Sequence, residues 1–188
     1  MRLLWFLVAV PLFAGSPDGI KNFHQVDEHV YRGAQPDHKG FTGLAQLGIK
    51  TVIDLRESGH RSSDEEAAVN AAGMKYVNVP MSGLTAPSEL EMKKLLSILE
   101  DESSGPVFVH CMRGADRTGA VIAAYRIHHA RWDNARALTE AESLGMSIFQ
   151  FPRKSFIRSF QGPQVEAKAS TSAETPTPAL SAAPVTAR

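Results

Sequence analysis

Pro106-Val107-Phe108-Val109-His110-Cys111-Met112-Arg113-Gly114-Ala115-Asp116-Arg117-Thr118-Gly119 runs from an apolar stretch into a glycine-containing turn. Pro106–His110 is too short for a helix and rich in β-formers, so it reads as a buried strand. Thr118–Ala130 reads as the helix that follows. A strand, a tight turn and a helix are the first half of a parallel βαβ crossover. The flanking sequence repeats this alternation. His29–Gly33 is a strand candidate before the turn-rich Gly33–Asp37. Phe41, Leu44, Ala45 and Leu47 have helical spacing, with Gly48 as the stop. Lys50–Leu55 reads as a second buried strand and Met74–Val79 as another. Ser63–Ala72 reads as a helix capped by Ser63, with Glu66 at the capping-box position and Gly73 as the stop. Pro87–Glu100 is an amphipathic helix, followed by helices at Asn134–Ser143 and Lys154–Phe160. There is no internal repeat. The expected fold is α/β, three-layered, with a central largely parallel sheet flanked by helices.

The two ends read differently. Arg2 precedes the apolar run Leu3–Ala14, which is too short to cross about 30 Å of hydrocarbon. Residues 1–15 therefore read as a signal peptide. The expected location is periplasmic or secreted, with membrane anchoring by an uncleaved leader as the alternative. No stable membrane span is expected after cleavage. Residues 163–188 are Ala, Ser, Thr and Pro with little to bury, and read as a disordered tail. Residues 16–162 remain as one domain. The 188-residue chain carries 20 Lys+Arg against 20 Asp+Glu. A net charge of zero gives no basic face for nucleic acid. The single Cys excludes an internal disulfide framework and any cysteine-cluster metal site.

The central turn also carries chemistry. Backbone N–H groups of a strand–turn–helix connection can converge on an anion, and the helix N-terminus adds its dipole. Arg117 supplies a planar fork for two phosphate oxygens. The same positive field favours the thiolate of Cys111. One turn thus binds a tetrahedral oxyanion and activates a nucleophile beneath it. Taken singly, Cys111 could be an inert buried thiol, and Arg117 and Thr118 could simply begin a helix.

The segment resembles the signature of the protein tyrosine phosphatase superfamily, His-Cys-x5-Arg-Ser/Thr. Tyr31–Pro36, Val52–Arg56 and Gly114–Gly119 look like bacterial relatives of the plant-and-fungal atypical dual-specificity phosphatases. The resemblance runs from about Val30 to Phe160 and implies a dual-specificity-phosphatase-like fold with its site at the carboxyl edge of the sheet. It implies that Cys111 attacks phosphorus and forms a phosphocysteine. Arg117 clamps the equatorial oxygens. Met112, Arg113, Gly114, Ala115 and Asp116 offer backbone N–H groups. Thr118 assists Cys111 as a leaving group, and His110 holds the turn by hydrogen bonds.

Many superfamily members place an acidic Asp on a loop some 30 residues before the Cys. Val79–Ser88 contains no carboxylate here. Asp116, inside the turn, is the first candidate for the general acid, because a carboxyl facing a phosphate dianion is favoured as a donor. The alternative is that Asp116 caps the helix or pairs with an Arg. Glu89 is the next acid, and no protein acid is the third reading. Arg113 is either a rim charge for a multiply phosphorylated substrate or a solvated residue. Asp54 and Arg56 either face the site or form a local ion pair. Gln150 and Gln161 are candidates for orienting water. The histidines His24, His29, His38, His60, His128 and His129 build no metal site, and no metal or cofactor is implied.

The expected function is an exported cysteine-dependent protein-tyrosine/dual-specificity phosphatase acting on phosphotyrosine or related phosphomonoesters. An inositol phosphate or phosphoinositide phosphatase is the alternative, and a phosphate-binding pseudoenzyme is a further one. The expected partner is a phosphorylated protein or an inositol phosphate or lipid substrate, and the expected state is a monomer.

Overall fold

The computed structural model describes residues 16–162. The leader and tail expectations lie outside the described residues. In chain order the elements are β1 His24–Gln25, β2 Val30–Ala34, α1 His38–Gln46, β3 Thr51–Asp54, α2 His60–Ala71 and β4 Lys75–Asn78. They continue with α3 Glu89–Leu99, a 3-10 turn Glu102–Ser104, β5 Val107–Cys111, α4 Asp116–His128, α5 Asn134–Ser143 and α6 Phe151–Ser159. No described helix is long and apolar enough to cross a membrane.

The five strands are ordered β1-β2-β5-β3-β4. β2, β5, β3 and β4 pair in parallel, and only β1 is antiparallel. The sheet is thus largely parallel, with β5 at its centre. All five residues of β5 are buried. This explains its continuous apolar sequence, since a parallel strand covered on both faces shows no alternation.

The strand period of two divides the β5 side chains between two cores. Val107, Val109 and Cys111 pack with Met92, Leu95, Leu96, Leu99, Val121, Ile122 and Tyr125 from α3 and α4. Phe108 packs the other way with Phe41, Leu44, Val52, Val69 and Met74, beneath α1 and α2. A third cluster joins α4 to α5 and α6 through Ala120, Ala123, Ala137, Leu138, Ala141 and Ile157. α4 is consequently buried from Thr118 to Tyr125. Phe108 is fully buried, and its ring lies 6.0 Å from Phe23 and 5.7 Å from His110. Phe108→Ala is expected to cost about 3–5 kcal/mol of stability, read by denaturant unfolding. A smaller loss would mean that the helices above the ring collapse into the space.

Helix boundaries differ from the sequence reading where capping decides them. α2 starts at His60, three residues before the expected Ser63 cap. Ser62 is responsible: its Oγ accepts from the Gly59 N–H at 2.9 Å and donates to the Gly59 carbonyl at 2.7 Å. α3 starts after Ser88, which accepts from the Glu91 N–H while Glu91 Oε2 accepts from the Ser88 N–H at 2.6 Å. That reciprocal pair satisfies two donors the first turn leaves free. α4 begins at Asp116 and α6 at Phe151, each a little earlier than expected.

Candidate active site

β5 ends at Cys111, and α4 begins five residues later at Asp116, so Met112–Ala115 form a turn at the carboxyl edge of the sheet. Gly114 has φ +67°. A Cβ at this position would stand 2.3 Å from the Gly33 carbonyl carbon and oxygen. The turn therefore packs directly on the end of β2, which only glycine allows. The N–H groups of Arg113–Arg117 bond to no protein oxygen among the described residues. They remain available to an anion.

Cys111 is buried and is a free thiol. Burial pushes its pKa up. The Thr118 hydroxyl and N–H, the Arg117 charge and the Arg113 N–H outweigh that and leave it below the ordinary thiol value. The Thr118 hydroxyl is fully buried and lies on the Cys111 side of the turn, where it favours the thiolate. Arg117 is half-buried. Its Nη1 donates to Leu55 O at 3.3 Å and Met81 O at 3.4 Å, which ties the guanidinium to the segments that follow β3 and β4. Alkylation of Cys111 is expected to follow a pH midpoint below that of an ordinary thiol. Thr118→Val should move that midpoint up, measured by iodoacetamide kinetics.

His110 is fully buried on the opposite face of β5 from Cys111. Its Nε2 lies 2.6 Å from Glu65 Oε1, close enough for an ion pair although not in hydrogen-bond alignment. Glu65 Oε2 accepts from Arg56 Nη2 at 2.5 Å. Arg56 also holds Asp54 through Nε at 2.9 Å and Nη2 at 2.7 Å, and the Tyr76 hydroxyl donates to Asp54 at 2.8 Å. Burial raises the Asp54 carboxyl, but Arg56 and His110 hold it below its usual value. Asp54 and Arg56 thus form a local ion pair that ties β3 to α2. Asp54, Glu65 and His110 converge closely enough for a cation. The Arg56 guanidinium already supplies one.

Asp116 is committed on both oxygens. Oδ2 accepts from Arg113 Nη2 at 2.5 Å, and Oδ1 accepts from the Ser147 N–H at 2.9 Å. The pairing with an Arg that the sequence offered as one reading of Asp116 is therefore present. Arg113 remains largely exposed while making the pair. Val79–Ser88 lies against the turn without any carboxylate. It is held there by Arg153, fully buried on α6, which donates to Ser82 O and to Gly83 O at 3.1 Å. Arg153 also takes the side-chain oxygen of Gln150, which removes that oxygen from water orientation. Gln161 is exposed after α6. Glu89 is exposed in the first turn of α3. A cavity of about 330 Å³ opens beside the turn, lined by Met112, Arg117, His60 and Arg61 among others.

Three contributors were not singled out by sequence reasoning: Arg153, Arg32 and Asn22. Arg32, fully buried in β2, donates through Nη2 to Gly114 O at 2.7 Å. Asn22 Nδ2 donates to the same oxygen at 3.0 Å. The only sequence signal for Arg32 was its place in the Tyr31–Pro36 motif, and Asn22 had none.

A family model described as "DSP-PTPase phosphatase fused to NAD+ Kinase" matches residues 8–159. The chain belongs to this family. This DSP-PTPase chain is 30% identical over 139 residues to the dual specificity protein phosphatase TpbA of Pseudomonas aeruginosa. That match covers 72% of this chain and 60% of TpbA. It is 28% identical over 109 residues to the inositol diphosphatase DSP1 of Oryza sativa, covering 56% of this chain and 49% of that one. Among solved structures, a TpbA variant in complex with phosphotyrosine superposes with a TM-score of 0.65 at 25% identity, over 74% of this chain and 85% of that one. The catalytic domain of the PP-IP phosphatase SIW14 from S. cerevisiae superposes with a TM-score of 0.67 at 24% identity, over 74% and 85% of the two chains. These neighbours place the five-stranded sheet and its helices in the dual-specificity-phosphatase fold.

Proposed function

We propose that the protein is a cysteine-dependent phosphatase of phosphotyrosine or related phosphomonoesters, acting through a phosphocysteine. One observation carries this reading. A free, buried thiol with a lowered pKa lies at the base of a turn whose N–H groups are unspent and whose Arg117 is held beside it. The relatives named as phosphatases support it.

In the first step the Cys111 thiolate attacks phosphorus. The ester P–O bond breaks, and the leaving oxygen takes a proton to become an alcohol or phenol. The turn's N–H groups and Arg117 hold the three equatorial oxygens as charge moves toward them. In the second step water attacks the phosphocysteine, releases phosphate and returns the thiolate. The Thr118 hydroxyl stabilises the departing sulfur. With Asp116 paired to Arg113 and Ser147, the proton for the leaving group comes from water. Aryl phosphates, whose leaving groups need it least, are therefore the better substrates.

On this reading Asp116 is a positioning residue. Asp116→Asn keeps one acceptor and loses the ion pair. Its kcat/KM is expected to fall about equally on aryl and alkyl phosphates, because the turn loosens for both. A loss confined to alkyl phosphates would restore Asp116 as the acid. His60 and Arg61 beside the pocket favour a second substrate class, inositol phosphates or phosphoinositides, whose further phosphoryl groups they would face. The relative named an inositol diphosphatase agrees with it.

The basic and apolar leader, Arg2 and Leu3–Ala14, supports action outside the cytoplasm. The test of function is turnover of an aryl phosphate with chelator present, beside Arg117→Ala. Turnover that disappears together with vanadate binding in Arg117→Ala supports the reading. Vanadate binding by wild type without turnover would make the protein a phosphate-binding pseudoenzyme.

A further inference from the structure

The turn Met112–Ala115 has to solve a problem of orientation. A bound anion is held by N–H groups, and in a trans peptide an inward N–H sends the preceding carbonyl outward. An outward carbonyl that is buried needs a donor. Two carbonyls of this turn have donors from far away in the chain. Gly114 O accepts from Arg32 Nη2 at 2.7 Å and from Asn22 Nδ2 at 3.0 Å. Arg113 O lies 3.4 Å from the same Asn22 Nδ2. Fixing these carbonyls fixes the two peptide planes that carry the Gly114 and Ala115 N–H groups.

Both donors are held under conditions that cost stability. Asn22 has φ +51°, and Arg131 is the other described non-glycine residue with a positive φ. Asn is the side-chain-bearing residue that tolerates this region best. Its amide is oriented by three carbonyls on Nδ2, the third being Leu144 O at 3.0 Å, and by His24 Nε2 at 3.1 Å from Oδ1. Arg32 is 1% exposed, and its Nε and Nη1 have no partner. Burial draws its pKa down to about 10, so it remains a cation at neutral pH. A fold selected for stability alone would place an apolar side chain there. Local costs of this kind collect where a site needs them.

We propose that Asn22 and Arg32 are positioning residues of the oxyanion pocket, holding the Arg113 and Gly114 carbonyls outward so that the Gly114 and Ala115 N–H groups face the bound phosphoryl group. The proposal rests on the phosphatase reading of the Cys111 turn.

The test is orthovanadate affinity by titration calorimetry, with Cys111 alkylation kinetics and thermal unfolding on the same samples. Asn22→Asp keeps the shape and the backbone tolerance but removes the donor. Arg32→Met fills the space and removes the buried charge. Both variants are expected to bind vanadate at least about tenfold more weakly, the effect of losing 1.4 kcal/mol. The Cys111 midpoint should rise in both. Arg32→Met should unfold no earlier than wild type, a combination that a purely structural role does not produce. Folded variants with wild-type vanadate affinity and an unmoved thiol midpoint would overturn the proposal. If Asn22→Asp fails to fold, Asn22→Ser replaces it, and if Arg32→Met fails to fold, Arg32→Leu replaces it, under the same criteria. Wild-type protein that neither binds vanadate nor turns over an aryl phosphate would overturn the phosphatase reading itself, a result separable from the variants.

Discussion

Cys111→Ser is expected to bind vanadate or phosphate through an intact turn and to lose turnover by on the order of 10⁴–10⁶-fold. The structure explains why the two properties separate. On the proposed reading, oxyanion binding rests on the N–H groups of the turn, on the start of α4 and on Arg117, none of which the substitution touches. Turnover on that reading rests on the sulfur. A serine hydroxyl in the same place is not ionised near neutral pH, and the neighbouring His110 does not face it. His110 lies on the other face of β5, turned toward Glu65. The lowered Cys111 pKa has no counterpart that a hydroxyl could use. Steady-state turnover of an aryl phosphate, paired with vanadate titration, measures both halves. Retained turnover in Cys111→Ser would show that the thiol is not the nucleophile.

Gly114→Ala is expected to be the most damaging small substitution in the turn. The added Cβ would meet the Gly33 carbonyl at 2.3 Å and take on a φ of +67°. The left-handed backbone costs about 1–2 kcal/mol for an alanine. The contact is with the backbone of β2, which cannot turn aside as a side chain would, so the turn itself must shift. A displacement on the order of 1 Å at a catalytic turn costs about 10²-fold in rate. The expected result is a folded protein of lower stability, with kcat/KM down by at least about 10²-fold and vanadate affinity reduced with it. Gly145→Ala offers a useful contrast. It also carries a positive φ, but its nearest neighbour is the Ala115 side chain at 3.7 Å, so it should lose stability with a far smaller effect on turnover.

Much of this architecture was legible in the sequence because it depends on local pattern. β5 and β3 are short apolar runs bounded by turn residues, and such runs mark strands covered on both faces. The turn from Cys111 to Thr118 is contiguous in sequence, so the thiol and Arg117 that it carries could be read together. Features set by distant partners could not be read in this way. β1 is two residues long and exists only as an antiparallel partner of β2. Arg32 meets Gly114 across 82 positions, Asn22 meets it across 92, and Arg153 meets Gly83 across 70. Nothing in the local sequence marks these residues as buried. A charged side chain in a strand or in the polar run of α6 reads as solvent-facing until the fold supplies its acceptors. Asp116 shows the same limit from the other side. Its place in the turn suggested an acid, and the partners that fix its carboxylate are Arg113 nearby and the Ser147 N–H, 31 positions away.

The central claim is that Cys111 carries the phosphoryl group between the two steps. The direct measurement is intact-protein and peptide mass spectrometry of the full chain, quenched rapidly after mixing with an aryl phosphate. The account predicts one added phosphoryl group on the peptide containing Cys111, formed by wild type and absent from Cys111→Ser. Turnover with no phosphoryl group on Cys111 at any quench time, or with the group on another residue, would contradict it.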